Sequence, residues 1–272
     1  MKSVLGTDMH GQYENYAIHW VPRRGTALEG FGTGWTGWCA ESGSVARIPE
    51  TLRPGRRCAG GAGHVAKLGF HANVKSPFRL ARGRSIWALD RALQDLAERT
   101  ACVRLPRLEL TVFDNQVVLA LTRPSNAVIR LLGEVAELVS IYQNAPQYSE
   151  LPGFGEAPLP ANRDWGSTDM PLLERFHMPL TDRLDLGAAY DVVAALDPIL
   201  APILRTQQLL SDLALVGDPG GNRPWRLIER YELREAPVRA VPKLPSEMSC
   251  RGPQLMEPFE EVSDEGPAQV IA

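Results

Sequence analysis

Two histidines in matching local contexts are the residues of this chain best suited to chemistry. His71 and His177 each follow a phenylalanine directly, and each opens a short run in which polar and apolar residues alternate. Such alternation predicts β-strands, in which every second side chain lies on the same face. If the two faces meet, one imidazole can take a proton from an attacking water while the other gives a proton to a leaving oxygen. This arrangement suits the cleavage of a phosphate ester.

Further polar residues are in phase with the two histidines. They are Asn73 and Lys75 in the first segment, and Arg175 and Thr181 in the second, where Pro179 lies on the same face. Because an amide or a hydroxyl can donate to phosphate oxygens, we expect Asn73 and Thr181 to contact phosphate. We expect Lys75 or Arg175 to offset its charge. The alternatives are that both histidines are buried and bonded to the backbone, and that Lys75 is a solvated residue near a strand end.

Composition sets broad limits on the function. The 272 residues are 44% hydrophobic and 22% charged, which is enough for one large domain or two joined lobes. The 29 Lys and Arg against 32 Asp and Glu give a formal charge of -3, so we expect no long nucleic acid as partner. The chain has no apolar run of membrane-spanning length, which favours a cytoplasmic protein with reduced thiols. Its four cysteines lack metal-ligand spacing, and we expect neither a metal nor a cofactor.

The surrounding sequence predicts strands and helices that would position these segments. The predicted elements are a strand at 16–21, an irregular connection with one helical turn at 23–67, a strand at 69–78, a helix from 86, a strand at 102–108, a hairpin at 108–121, a helix after Ser125, a Pro- and Gly-rich connection at 144–168, a strand at 172–181, a helix at 188–200, and strands at 209–216 and 225–233. The second half resembles a weaker repetition of the first.

The two ends of the chain differ from the middle. Residues 1–14 predict a flexible leader, and residues 236–272, rich in proline and charge, predict a tail that is disordered or docks on a protein partner. The domain then spans 15–235, with lobes at approximately 15–143 and 170–235. His19 lies on the first predicted strand and is most simply a half-buried strand residue.

The long connection at 23–67 carries aromatic and basic residues. Trp35 and Trp38 could stack on a base or a ribose, and the alternative is that they anchor the loop against the core. A small basic cluster, which could steer a phosphate or remain a solvated surface, consists of Arg53, Arg56 and Arg57, near Arg47.

At the two Phe-His segments the chain resembles the two-histidine (2H) phosphoesterase superfamily, and more closely its DUF1045 branch, whose members are often described as phosphonate-metabolism proteins. The residues that carry the resemblance are, in chain order, Tyr16 to Pro22, Gly34 to Trp38 followed by Glu41 to Gly43, Gly69 to Phe78, and Arg175 to His177. The resemblance covers roughly residues 15–235.

The resemblance implies an α+β fold with two pseudo-symmetric lobes of antiparallel sheet, outer helices and a central cleft. It implies a metal-independent cyclic phosphodiesterase that acts on a small cyclic ribose or nucleotide phosphate. His71 and His177 would be its general acid and base, which gives a bell-shaped pH profile with limbs near neutrality. In this family a Thr or Ser two residues after each histidine grips the phosphate.

This chain departs from that motif at both positions. Asn73 can still donate to a phosphate oxygen, but Pro179 has neither a hydroxyl nor an N–H and fits only an edge strand. Thr181 could replace the missing hydroxyl only if the strand shifted or the substrate sat differently. Two functions follow: a phosphodiesterase with reduced activity, or a catalytically degenerate family member that binds a protein or a phosphate ligand.

Overall fold

A four-stranded antiparallel sheet carries the first histidine segment. The computed structural model describes residues 13–60, 63, 65–144 and 176–235. The sheet consists of β1 (Asn15–Trp20), β4 (Ala72–Phe78), β10 (Asp212–Asp218) and β11 (Arg226–Glu232), in the order β11-β10-β1-β4. His71 directly precedes β4, which lies at the edge of this sheet.

A three-stranded antiparallel sheet carries the second histidine. It consists of β6 (Leu108–Phe113), β7 (Gln116–Leu121) and β8 (His177–Pro179), in that order. His177 pairs with Ala120, and Pro179 pairs with Val118. The edge position of β8 explains how a proline without an N–H fits into the ladder. Strands β4 and β8 are in contact, so the two histidine segments are neighbours.

Two short strand pairs and a set of helices complete the described fold. The strand pairs are β2 (Trp38–Cys39) with β3 (Ser44–Val45), and β5 (Val103–Arg104) with β9 (Leu209–Leu210). The helices are α1 (Ala27–Thr36), α2 (Arg53–Cys58), α3 (Val65–Leu68), α4 (Ile86–Arg99), α5 (Asn126–Ser140) and α6 (Leu186–Leu204), with a 3-10 turn at Glu50–Leu52. The predicted α+β fold class is confirmed.

Local signals explain why the long helices form where they do. Ser85 and Ser125 cap α4 and α5, since their hydroxyls accept hydrogen bonds from the N–H groups of Trp87 and Val128 at 3.1 and 3.4 Å. Each helix then buries an apolar stripe at helical spacing. The buried residues are Ile86, Leu89, Leu93 and Leu96 in α4, and Val128, Leu131, Leu132 and Val135 in α5.

The segment at 23–67 differs from the predicted irregular connection, which is wrong in that respect. Thr26 caps α1 by accepting from the N–H of Glu29 at 3.2 Å, and Gly37 ends this helix in the left-handed region at φ 73°. The segment then forms the β2–β3 pair, the 3-10 turn, α2 and the start of α3. Glycine and proline act here as caps and turns of short elements, which composition alone does not distinguish from a loop.

The predicted division into lobes at 15–143 and 170–235 stays a prediction. Each of the two larger sheets takes strands from both of these parts of the chain. In the larger sheet β1 lies between β4 and β10, and in the smaller sheet β7 lies between β6 and β8. In the larger sheet β10 and β11 from the C-terminal part join β1 and β4 through the β1–β10 pair, and in the smaller sheet β8 joins β6 and β7 through the β7–β8 pair. The pseudo-symmetry of two lobes stays a prediction. Residues 1–12, Arg175 and the predicted tail at 236–272 lie outside the described residues.

Helix α6 is long and apolar enough to span a membrane by length and composition, with a mean hydropathy of 1.4 and 22% of that window buried. This is weak evidence for a span, because one face of α6 packs into the core and two prolines lie inside the helix. The core residues are Ala189, Val192, Leu196 and Leu200, and the prolines are Pro198 and Pro202. A cytoplasmic location stays a prediction.

Candidate functional site

The His71 ring is held just before β4 by a backbone carbonyl two residues earlier in the chain. Gly69, in the left-handed region at φ 76°, turns the chain so that its carbonyl accepts a hydrogen bond from His71 Nδ1 at 2.9 Å. A carbonyl can only accept, so Nδ1 carries the proton of the neutral ring and Nε2 carries the lone pair. Nε2 is buried and has no hydrogen-bond partner among the described residues.

His19 lies directly against His71. The two rings stack with their centroids 3.7 Å apart and their planes 13° apart. On β1, His19 pairs in register with Asn73 of β4, so both side chains lie on the same face of the sheet. Trp225 stacks near His19 at a centroid distance of 6.2 Å. His19 is 1% exposed, so the expectation of a half-buried residue is wrong.

The stacked pair has three buried ring nitrogens without partners in the described part of the chain. They are Nδ1 and Nε2 of His19 and Nε2 of His71. Buried polar atoms in folded proteins are nearly always hydrogen-bonded, and an unmade bond costs about 1–3 kcal/mol. A site that concentrates such atoms on two adjacent rings has the capacity to bind a polar molecule.

Burial keeps both stacked rings neutral. The pKa of His71 is lowered to about 4, chiefly by burial and also by His177, against the opposing effects of the Gly69 carbonyl and the Asn73 side chain. Burial also lowers the pKa of His19 well below its usual value, and the neighbouring His71 acts in the same direction. Both imidazoles therefore have free lone pairs at neutral pH.

His177 enters the site from the other sheet. It is partly buried on β8, with the Phe113 ring at a centroid distance of 5.7 Å. Its charge influences the pKa of His71, so the two rings are within electrostatic reach of each other. The His19–His71 stack, the pairing of His19 with Asn73, the contact of β4 with β8 and the effect of His177 on the pKa of His71 thus place these four residues in one region.

Thr181 has a structural contact in place of the predicted phosphate contact. Its side chain is 0% exposed, and its hydroxyl accepts a hydrogen bond from the N–H of Val117 at 3.0 Å. Its carbonyl accepts from Gln116 Nε2 at 3.2 Å. These contacts fix the end of β8 to β7, and we correct the assignment of Thr181 as a phosphate ligand.

Lys75 does not continue the face of His71 by simple alternation. The register of β1 with β4 shifts between the His19–Asn73 pair and the Ile18–Lys75 pair, so β4 contains an irregularity at this point. Lys75 is paired with the core residue Ile18 and is 8% exposed. The in-phase argument for Lys75 therefore fails, and Arg175 lies outside the described residues.

The tryptophans of the 23–67 segment anchor it, as the alternative interpretation expects. The indole N–H of Trp35 donates to the carbonyl of Leu180 at 2.6 Å, and Trp35 is fully buried. The indole N–H of Trp38 donates to the carbonyl of Trp225 at 3.0 Å. Trp38 thereby fixes the backbone of the residue whose ring stacks near His19.

Among the described residues, no group of three or more His, Cys, Asp and Glu side chains is placed to hold a metal ion.

Comparisons with known proteins place the chain in a family. The family described as "Protein of unknown function (DUF1045)" matches residues 73–226. The chain belongs to the DUF1045 family. The matched range includes His177 and begins two residues after His71. No curated protein matches the chain.

A solved structure titled "Crystal structure of phosphoesterase" is similar to this DUF1045 protein with a TM-score of 0.39 and 9% sequence identity. The match covers 82% of this chain and 99% of that chain.

Proposed function

We propose that this protein hydrolyses a small cyclic phosphate ester, of a ribose or a nucleotide, with His71 as general base and His177 as general acid and without a metal. One observation carries the proposal. His71 is neutral, its Nδ1 is held by the Gly69 carbonyl, its Nε2 has no partner among the described residues, and His177 is within its electrostatic reach.

The roles follow from the two environments. Nε2 of His71 carries a lone pair at every pH above about 4, so His71 suits the removal of a proton from an attacking water. His177 belongs to a different sheet and only part of its surface is buried, which supports its role as the acid that protonates the leaving oxygen. An in-line displacement would require the two imidazoles to act on opposite sides of the phosphorus.

The low pKa of His71 also limits the rate. A base with a pKa of about 4 is a weaker proton acceptor than an ordinary imidazole, and catalytic efficiency follows basicity. We therefore propose a slow hydrolase.

Phosphate oxygens would be bound chiefly from the larger sheet. The Asn73 amide can donate a hydrogen bond, and so can the N–H of the neutral His19 ring beside it. Pro179 has no donor to offer from the smaller sheet. A missing donor to developing charge typically costs about 10²–10³ in rate, which also indicates slow turnover.

A direct assay tests this proposal. Hydrolysis of 2′,3′-cyclic AMP and of a ribose cyclic phosphate is measured for the wild type, His71→Ala and His177→Ala, with and without EDTA. We expect the wild type to turn over in EDTA and each variant to lose at least about 10²-fold. The double variant His71→Ala/His177→Ala controls for contaminating hydrolases. Equal hydrolysis by both single variants and the wild type would rule the roles out.

A second candidate function is binding of a phosphate ligand without turnover. Two observations favour it: His71 is only 1% exposed, and Pro179 has no hydroxyl. In that case a nucleoside 2′-monophosphate binds the wild type and His71→Ala weakens the binding, but the cyclic substrates remain intact in the assay above.

A further inference from the structure

An open groove lies beside α2, and its lining is strongly basic. It has a volume of about 820 Å³, and its polar lining consists of Arg47, Arg53, Arg56, Arg57 and Glu50. Four guanidinium groups against one carboxylate leave an excess of three positive charges. Neither histidine of the proposed catalytic pair lines the groove.

Most of this charge is available to a ligand. Glu50 pairs with Arg53 at 2.9 Å. Arg47 and Arg57 are exposed and have no ion-pair partner in the described part of the chain. Arg56 donates to the carbonyl of Trp35, and burial lowers the pKa of its guanidinium. An anion in the groove would therefore meet three cations that no carboxylate of its lining neutralises.

Tight packing of α2 holds the arginines in place. A side chain at Gly55 would come within 3.3 Å of Leu196 and 3.4 Å of Trp35, so α2 lies directly against α6 and α1 at this position. The flanking apolar residues Leu52 and Ala59 are buried. Since these positions face inward, the arginines between them lie along the groove side of the helix.

We propose that this groove is a binding site for a small ligand that bears two or more phosphate groups, such as a nucleoside diphosphate or inorganic pyrophosphate. Guanidinium groups match the geometry of phosphate oxygens and stay charged at every relevant pH. The volume falls within the range of small-molecule sites. The whole chain has a formal charge of -3, so the positive charge is local, which favours a compact anion over a long polyanion.

The groove and the histidine site are separate, and this inference does not depend on hydrolysis. A structural link joins them: Arg56 donates to the carbonyl of Trp35, whose indole N–H donates to the carbonyl of Leu180, directly after β8. For this reason Arg56 is left unchanged in the test, because its loss could disturb the strand that carries His177.

Isothermal titration calorimetry with pyrophosphate and with ADP, at low and at high salt, tests the site. Arg47→Ala/Arg57→Ala should weaken binding of both by at least about 10-fold, because charge-assisted bonds contribute strongly. The matched control is Arg123→Ala/Arg205→Ala, which removes two exposed arginines outside the lining and should bind like the wild type. Glu50→Gln should tighten binding several-fold, because it removes the carboxylate and releases Arg53.

The outcomes are distinct. The site is supported if the affinity for ADP and pyrophosphate is lower in Arg47→Ala/Arg57→Ala (the groove variant), higher in Glu50→Gln, and lower at high salt. Equal losses in the groove variant and the matched control would overturn it. Loss of ADP binding in His71→Ala would place the ligand at the histidines and overturn it as well. A 12-nucleotide RNA that binds more tightly than ADP would overturn the assignment to a small ligand.

Discussion

The rings of His19 and His71 lie parallel, with centroids 3.7 Å apart, although the two residues come from different segments of the chain. Stacking at this distance means that a proton on one ring raises the energy of a proton on the other. The pair therefore stays neutral, and the three ring nitrogens that have no partner among the described residues remain available for hydrogen bonds. This relationship decides which chemistry the site can perform.

Replacement of His19 should separate its role in the site from its role in stability. In His19→Phe the aromatic stack is kept, but two buried nitrogens without partners in the described structure disappear. We expect the free energy of unfolding of the ligand-free protein to rise by about 1–3 kcal/mol, and hydrolysis of the cyclic phosphate to fall. Urea denaturation and the phosphodiesterase assay measure the two effects. A His19→Phe protein that is less stable than the wild type yet fully active would contradict the role of His19 as a ligand-binding residue.

The stability of the protein should depend on pH through His71. The unfolded chain protonates this residue near its usual value of 6.5, but the folded protein does so only near 4. Between these values the unfolded state binds more protons, so stability is full above about pH 6.5 and falls as the pH drops towards 4, by on the order of 3 kcal/mol. His19 acts in the same direction.

The variant His71→Gln isolates this contribution, because carboxylates titrate equally in both proteins. We expect the difference in unfolding free energy between the wild type and the variant to change across pH 4–6.5 in urea denaturation series. A constant difference over that range would show that His71 titrates normally in the folded protein.

The pH–rate profile should differ from the bell with two limbs near neutrality that the sequence predicts. If His71 is the base, the acidic limb of kcat/KM lies near pH 4, since burial lowers its pKa to about that value. The alkaline limb then reports the acid, His177. Initial rates on 2′,3′-cyclic AMP over pH 3.5–9 measure both limbs, and an acidic limb near 6.5 would assign the base to another group.

Pro179 is the position at which activity should be easiest to increase. It lies two residues after His177 on an edge strand, where a threonine can replace it without breaking a central ladder. Pro179→Thr adds a hydroxyl, and we expect the rate to rise by about 10-fold or more. Pro179→Val, which has the same shape without the hydroxyl, is the control. Equal rates in the two variants would show that the hydroxyl does not reach the phosphate.

Much of the fold could be predicted from local signals. The β6–β7 hairpin follows from two apolar runs around Asp114 and Asn115, which have the positive φ values of 47° and 62° that a tight turn needs. Apolar residues at helical spacing from Ile86 predicted α4, and the cap Ser125 with the apolar stripe after it predicted α5. These features depend on residues close together in the sequence.

The parts that could not be predicted depend on register and on distant pairing. Alternation places His19 on one face of β1, but only the pairing with Asn73 reveals that it stacks on His71. The irregularity in β4, which removes Lys75 from that face, has no local signal in the sequence. Likewise, only the structure reveals that the Thr181 hydroxyl is bonded to the backbone of Val117.

The most direct test of the account is a titration of the ¹⁵N-labelled histidine rings, followed by NMR, with a nucleoside 2′-monophosphate. If the two segments converge on one phosphate, the ring nitrogens of His71 and His177 shift together and give the same dissociation constant. A shift confined to one of the two rings, or no shift in either at saturating ligand, would contradict the account.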